Sequence, residues 1–204
     1  MSRTPGTRAG LSRERVLAAA LELVDRDGLK ALSMRRLGAQ LDVEAMTLYH
    51  YVPTKDALLD GLVEQVLDRS TPPSFDGDWR SMLDDYARSL RSTLLAHPNV
   101  LPLVAARPAV TPETLRTVER GLRMLVDAGF PLGRALDALN ALSVFVIGHA
   151  TSEVHIDTDP ALPDLTEFPL LSTAARTGSG IDDEARFRFA VDVFLTGLAA
   201  LGPE

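Results

Sequence analysis

Apolar residues recur at helical spacing near the start of the chain. They stand at i, i+3, i+4 and i+7, which places their side chains on one face of a helix: Leu17, Ala20, Leu21 and Val24. Ser12 precedes this run as a candidate N-cap, and Gly28 follows it as a candidate stop. The pattern therefore predicts a first helix of about four turns between these two residues.

Two short helical patterns follow, separated by a tight junction at Asp42 and Val43. Ser33 is placed to cap the first, which runs through Leu41, and the second covers residues 44–50. Helices joined so closely must cross at a large angle, as they do in a helix-turn-helix. Three apolar residues are expected to form its small core: Leu37, Val43 and Leu48.

Longer helices are predicted in the rest of the chain. Pro53 blocks continuation of the second short pattern, and Thr54 is placed to cap a helix that ends near Arg69. Beyond a break at residues 71–78 no alternating strand pattern occurs, and the predicted helices lie at about Trp79–Ala96, Leu101–Ala106, Pro112–Gly129, Leu132–Val154 and Asp182–Leu201. Residues 156–180 are rich in proline and glycine, so we expect a mobile loop with a single helical turn near Leu170.

Two of these helices are apolar nearly all round, over residues 141–148 and 187–201. A helix that is apolar on every side must be covered on every side. In a chain of 204 residues the simplest cover is a second copy, so we expect a homodimer with a four-helix interface.

The composition is that of a globular protein. With 46% hydrophobic and 24% charged residues, a chain of this length can bury a real core and is not a disordered or collagen-like protein. The absence of cysteine excludes disulfide frameworks, cysteine-ligated metal sites and cysteine nucleophiles. No apolar run is long enough for a signal peptide or a membrane span, so we expect a soluble, cytoplasmic protein without a membrane partner.

Charge is unevenly distributed along the chain. Residues 1–56 carry nine basic and seven acidic groups, whereas the remainder carries 12 basic and 21 acidic groups. This asymmetry is typical of a small module that meets a polyanion, attached to a body that does not. A solvated helical surface would give the same count, so charge alone leaves both interpretations open.

Sequence motifs point to a family. The chain resembles the bacterial tetracycline-repressor (TetR) family over roughly residues 11–201. In the first third the resemblance rests on Leu21-Glu22-Leu23-Val24, Gly28, Leu32-Ser33-Met34-Arg35-Arg36-Leu37, Val43, Thr47-Leu48-Tyr49 and Lys55-Asp56-Ala57-Leu58-Leu59-Asp60. Further on it rests on Leu94-Leu95-Ala96-His97, Arg107-Pro108, Ala128-Gly129-Phe130, Ala135-Leu136 and Gly148.

The resemblance implies an all-α fold. An N-terminal three-helix helix-turn-helix DNA-binding domain would precede a C-terminal helical bundle that binds an effector and dimerises. The expected divisions are a flexible arm (1–10), the DNA-binding domain (11–56) and the effector-binding and dimerisation domain (57–204). The implied function is that of a transcriptional repressor released from double-stranded operator DNA by a small molecule.

The resemblance also implies a set of DNA contacts. The matching positions are Arg35, Ala45, Met46, Thr47, Tyr49, His50, Tyr51 and Lys55. Arg35 is suited to bidentate reading of guanine, and Thr47 to a phosphate or a thymine methyl group. This chain departs from the family at Ala45 and Met46, whose side chains cannot form polar base contacts, so its operator should differ. Tyr49 and Tyr51 could instead pack on the following helix, and the arm could reach a minor groove or be disordered.

The expected effector site departs from the family as well. The tetracycline repressor holds its drug as a magnesium chelate. The positions that match its metal-binding residues are Leu103 and Ser152 in this chain, and neither offers an ionised group. Two polar drug contacts, at Thr71 and Tyr86, are also altered. We therefore expect a less polar pocket, without a magnesium–tetracycline chelate, lined by Tyr86, Leu90, Leu103, Arg107, Val118, Leu122, Leu142, Phe145 and His149. Arg107 could meet an anionic or carbonyl group of a ligand, or simply pair with a carboxylate.

The remaining motifs do not indicate catalysis. No nucleophile elbow, glycine-rich phosphate loop or H-E-x-x-H zinc motif occurs in the sequence, so we expect no catalytic residue, metal or cofactor. His149 and Glu153 lie four residues apart on one helix face, a spacing compatible with a metal, a proton relay, a polar ligand contact or a satisfied helix end. Two alternative functions stay open at this point: a constitutive DNA-binding protein without an effector, and a helical enzyme with an accessory helix-turn-helix.

Overall fold

A computed structural model of the chain describes residues 10–71, 77–107, 110–156, 164–176 and 182–202. Within these ranges the chain is helical and contains no strand. The α-helices are α1 (Arg13–Asp27), α2 (Met34–Gln40), α3 (Ala45–Leu48), α4 (Lys55–Arg69), α5 (Trp79–Ala96), α6 (Leu101–Ala106), α7 (Pro112–Asp127), α8 (Leu132–Ile156), α9 (Pro169–Arg176) and α10 (Asp183–Ala200). The all-α class predicted from the sequence is thereby confirmed.

The caps predicted from the sequence form. The side chains of Ser12, Ser33 and Thr54 each accept a hydrogen bond from a backbone N–H in the first turn of α1, α2 and α4. Gly28 ends α1 with a φ of 80°, and its N–H donates to the carbonyl oxygen of Val24 at 2.8 Å. A short 3-10 helix, Leu29–Ala31, leads from there to α2 and was not predicted.

The chain forms two compact units, residues 1–71 with 92–119 and residues 72–91 with 120–204. In the first unit α1 buries an apolar face against α2 and α4. The contact between α1 and α4 is close, because a Cβ atom at Gly61 would lie 2.5 Å from a methyl carbon of Leu17. Beside it Arg13 donates two hydrogen bonds to the carboxylate of Glu64, at 2.9 and 3.1 Å.

The second unit has its core between α5, α8 and α10. One face of α8 is fully buried at Leu142, Val146 and Ala150, and Phe187 of α10 is equally buried. Burying a side chain such as leucine or phenylalanine contributes about 1.5–3 kcal/mol. Arg80 of α5 adds a polar link by donating to Asp192 of α10 at 2.7 Å.

Predicted and observed helices differ chiefly in one place. The region expected to be a loop with a single turn contains α9, an eight-residue helix. The rest of that loop falls partly outside the described residues, as do most of the break at 71–78 and residues 1–9 of the predicted arm (1–10). None of the helices that the structure describes is both long and apolar enough to cross a membrane.

Candidate operator interface and effector site

The turn between α2 and α3 depends on close backbone approach. A Cβ atom at Gly38 would lie 2.8 Å from the carbonyl oxygen of Val43 and 3.2 Å from the backbone nitrogen of Ala45. The Val43 N–H donates to the Gly38 carbonyl oxygen at 2.9 Å, which fixes the turn. Asp42 adopts a φ of 54°, a left-handed conformation that aspartate tolerates better than most residues. Glycine at position 38 therefore sets the distance between the two helices.

The short helix α3 and the three residues that follow it bury one side chain and leave the others exposed or half-buried. Leu48 is fully buried and holds the helix to the unit's core. Met46 is 70% exposed, which is unusual for a residue with a large apolar side chain. Tyr49 and His50 are exposed, and Ala45, Thr47 and Tyr51 are half-buried. The structure thus places most of the predicted DNA contacts on one short segment with its surface open.

Two cations predicted to contact DNA flank this segment. Arg35 on the first turn of α2 and Lys55 at the start of α4 are both exposed, and neither forms an ion pair within the described residues. The neighbouring Arg36, by contrast, is held by Asp27 at 2.6 Å. Arg35 and Lys55 therefore leave their charges available to a polyanion.

Arg107 makes a link that the sequence suggested only as an alternative. It follows α6 and donates to Asp60 at 2.5 Å and to Asp56 at 2.6 Å, both on the first turns of α4. Hydrogen bonds to Asp56 and Asp60 raise the pKa of the Arg107 guanidinium above its ordinary value. Of the two roles considered for Arg107, the structure contains the pairing with carboxylates.

A second link, at the opposite end of α4, was missed by sequence reasoning. The His97 Nδ1 atom lies 2.8 Å from an Asp25 carboxylate oxygen, and its Nε2 atom lies 2.9 Å from a guanidinium nitrogen of Arg69. With neutral His97, Nδ1–H donates to Asp25 and Nε2 accepts from Arg69, which satisfies both ring nitrogens. The only sequence signal was that His97 stands in a motif shared with the family.

In the second unit the pair His149 and Glu153 belongs to a larger polar cluster. Nδ1 of His149 lies 2.6 Å from Oε1 of Glu153, and Arg91 donates to both oxygens of the same carboxylate at 2.7 and 2.8 Å. Burial acts to raise the pKa of Glu153, but hydrogen bonds from Arg91 and His149 outweigh it and hold the pKa below its ordinary value. Arg91 also pairs with Glu184 of α10. Because Glu153 accepts from both neighbours, it is engaged within the protein.

Aromatic rings surround this cluster. His149 meets Phe145 and Phe187 edge-on, with ring centroids 5.7 and 5.1 Å apart, and the Arg91 guanidinium lies 4.9 Å from the centroid of Phe187. The Nε2 atom of His149 is buried and has no hydrogen-bond partner among the described residues. It is therefore an unused polar atom in an aromatic setting.

The other predicted effector contacts have mixed surroundings. The Tyr86 hydroxyl lies 3.2 Å from the Ser143 hydroxyl, and burial raises the pKa of Tyr86. Leu90 and Leu142 are fully buried, Leu103 is nearly so, and Val118 and Leu122 are half-buried. Among the described side chains no group of three His, Asp or Glu residues is arranged to hold a metal ion.

A separate open groove of about 460 Å³ lies in the second unit between α5 and α10. It is polar, and none of the nine predicted effector residues lines it. Its lining residues are Arg80, Ser81, Asp84, Arg88, Arg188, Phe189, Asp192 and Leu195.

Comparison with known proteins gives two family matches. Residues 16–62 match the model for bacterial regulatory proteins of the tetR family, and residues 71–201 match the tetracyclin repressor-like C-terminal domain. An HTH-type transcriptional repressor of Mycobacterium tuberculosis is 31% identical, over 96% of this chain and 85% of its own length. The class D tetracycline repressor protein of Escherichia coli is 33% identical, over 93% of this chain and 89% of its own length.

A solved structure shares the fold. The crystal structure of the TetR family protein ActR from Streptomyces coelicolor in complex with actinorhodin has a TM-score of 0.76 and 30% sequence identity. The match covers 96% of this chain and all of that one.

Proposed function

The chain belongs to the tetR family of bacterial regulatory proteins, and on that premise we propose that it is a ligand-responsive transcriptional repressor whose DNA-binding surface is α3 with its two flanking cations. The exposed surface at α3 supports the proposal, since Met46 on the helix and Tyr49 and His50 directly after it are exposed. A helix-turn-helix presents such a helix to the major groove and its neighbours to phosphates. The exposure of Arg35 on α2 and Lys55 on α4, the helices on either side of α3, supports such contacts.

The proposed DNA binding is tested with DNA duplexes. We expect fluorescence anisotropy to detect specific binding to DNA just upstream of the protein's own gene, or to duplexes selected from a random library. Lys55→Ala should weaken binding to all sequences and reduce its salt dependence, because it removes one phosphate contact. Arg116→Ala, which removes an exposed cation on α7, should leave both unchanged. Equal effects of the two substitutions would contradict the proposed surface.

We further propose that the second unit binds an effector through Tyr86, Phe145 and His149. If the neutral His149 ring donates Nδ1–H to Glu153, Nε2 is left as a buried acceptor without a partner among the described residues. A ligand with a hydroxyl donor and a flat aromatic body would satisfy this atom and pack against the Phe145 ring. Such a compound need not bring magnesium, because Leu103 and Ser152, which the resemblance matches to metal contacts, offer no ionised group.

The proposed effector site is tested by measuring the release of DNA. A panel of hydroxylated aromatic compounds should contain members that lower the anisotropy of the protein–DNA complex. His149→Phe should weaken the response to these compounds while DNA affinity without them stays near wild type. The matched variant His50→Phe, in the first unit, should weaken DNA binding. The complex that still forms should respond to the compounds as the wild type does. If His149→Phe and wild type respond alike, His149 is not an effector contact.

We also propose that two copies associate through α8 and α10. Both helices expose large apolar side chains that the described part of the chain does not cover: Leu136, Val144, Phe189 and Val193. Gly148 on α8 leaves open space where a Cβ atom would stand, which suits close approach of a partner helix. A second copy would bury this surface and set the spacing of two recognition helices on the operator.

Association is tested by light scattering after gel filtration. The wild-type protein should elute as a dimer, and Val193→Asp should shift it to monomer, because a carboxylate would be buried in an apolar interface. Leu115→Asp places the same charge on an exposed apolar site of α7 and should remain dimeric. A dimer that persists in Val193→Asp would place the interface elsewhere.

A further inference from the structure

The first turn of α3 carries no polar side chain at its first two positions. Ala45 and Met46 occupy its first turn and have no side-chain hydrogen-bonding group. Met46 is 70% exposed, while the fold of the segment is secured by Leu48 and by the turn at Gly38. Nothing in the described part of the first unit therefore requires a large apolar side chain at position 46, and water contacts most of it in the free protein.

We propose that Met46 is a specificity-determining residue that selects thymine through its C5-methyl group. This inference rests on the proposed operator binding by α3 and adds the chemistry that the helix reads. In the major groove thymine alone among the four unmodified bases presents a methyl group, whereas the other base edges present only donors and acceptors. A thioether side chain is flexible and polarisable, so it can adapt to such a group.

Discrimination follows from desolvation. Against thymine, Met46 exchanges water for a methyl contact on both sides, which is favourable. Against an amino group or a carbonyl oxygen, the same side chain displaces water without replacing the hydrogen bond, which is costly. Ala45 and Thr47 stand on either side of Met46 in the sequence of α3, and both are half-buried, so Met46 is the most exposed apolar side chain of this helix. We therefore expect at least one thymine in each half-site to be recognised without a hydrogen bond to a side chain of α3.

The experiment removes a single methyl group from DNA. A duplex is first selected from a random library with the full-length protein, and each thymine is then replaced by deoxyuridine, which lacks only the C5-methyl group. In at least one position per half-site we expect binding to weaken by about threefold to fivefold, which is the effect of withdrawing one methyl group from a contact. Replacement of the same thymine by 5-methylcytosine should cost less than replacement by cytosine.

Protein variants assign the effect to Met46. In Met46→Ala the same deoxyuridine substitution should have little effect, whereas Met46→Leu should retain most of the sensitivity. Leu115→Ala, an equally simple truncation of an exposed apolar residue on α7, should behave as wild type. Because Met46 is exposed, these variants should fold, and circular dichroism verifies that they do.

Three results would overturn the inference. If every deoxyuridine duplex binds as tightly as its parent, no methyl group is read. If Met46→Ala keeps the full sensitivity, another residue reads it. If no duplex is selected at all, the proposed DNA binding itself fails, which is a different and recognisable result.

Discussion

The closeness of α2 and α3 at Gly38 predicts the result of adding one methyl group. In Gly38→Ala the new Cβ atom would lie 2.8 Å from the Val43 carbonyl oxygen, whereas an unstrained contact between carbon and oxygen needs about 3.3 Å or more. The obstructing atom belongs to the backbone and cannot rotate away, so the turn itself must move by about half an ångström. That movement displaces α3, the helix that carries Met46 and Thr47.

The cost can be estimated from two opposing effects. Overpacking of a well-packed site costs about 1–3 kcal/mol. Replacing glycine by alanine inside a helix returns up to about 1 kcal/mol. The free energy of unfolding should therefore fall by about 0–2 kcal/mol, while DNA affinity should fall at least tenfold, because misplacing α3 affects every base contact at once.

Two measurements and one control test this prediction. Urea unfolding gives the change in stability, and anisotropy with a selected duplex gives the change in affinity, both at a temperature where the variant is folded. Gly133→Ala on α8 is the control, since a Cβ atom there meets nothing within 4 Å. If Gly38→Ala binds DNA as the wild type does and is equally stable, close approach at this turn does not position α3.

Three further predictions concern charged contacts. Glu153→Gln should lower the free energy of unfolding by about 1.5–3 kcal/mol near neutral pH, since it removes charge-assisted hydrogen bonds; because the folded pKa of Glu153 is lowered, the wild type has this stability above the ordinary carboxyl pKa and loses it as pH falls, so the two unfolding curves should converge in acid. Arg107→Ala should weaken DNA binding several-fold at low salt, because it frees the charge of Asp56, the residue next to Lys55 in the sequence, and the difference should shrink at high salt; Arg107→Lys should recover part of the loss. His97→Phe should lower the free energy of unfolding by about 1–2 kcal/mol, since two hydrogen bonds are lost while the ring remains; a stability equal to that of the wild type would mean that these contacts are not formed in solution.

Local sequence patterns predicted most of the helices. The caps at Ser12, Ser33 and Thr54 and the apolar spacing in α1 act over a few residues, so they can be recognised without knowing the fold. The helix α9 was underestimated because its surroundings in sequence are rich in proline and glycine. Its apolar residues Leu170 and Leu171 are exposed in the single chain, so they do not form the core-facing pattern by which a longer helix would be recognised.

Contacts between distant residues could not be predicted in this way. Arg91 meets Glu153 across 62 positions and His97 meets Asp25 across 72, and no periodicity connects such pairs. The exposure of Met46, Tyr49 and His50 was easier to anticipate, because the short helices around them were predicted, but their contacts with DNA stay a prediction. The effector residues stay a prediction, since burial of Leu90 and Leu142 reveals a core and not a ligand.

The close joining of α1 and α4 has a consequence for protein engineering. Leu17 lies against Gly61, and Arg13 pairs with Glu64. The first helix, α1, therefore packs on α4, which follows α3 in the chain. A chimaera that exchanges α1–α3 alone, with its junction at the start of α4, would separate both pairs. The exchanged helices would then meet an α4 surface that they do not fit. The transferable DNA-reading module of this chain therefore extends through Arg69, and α4 should be transferred together with α1–α3.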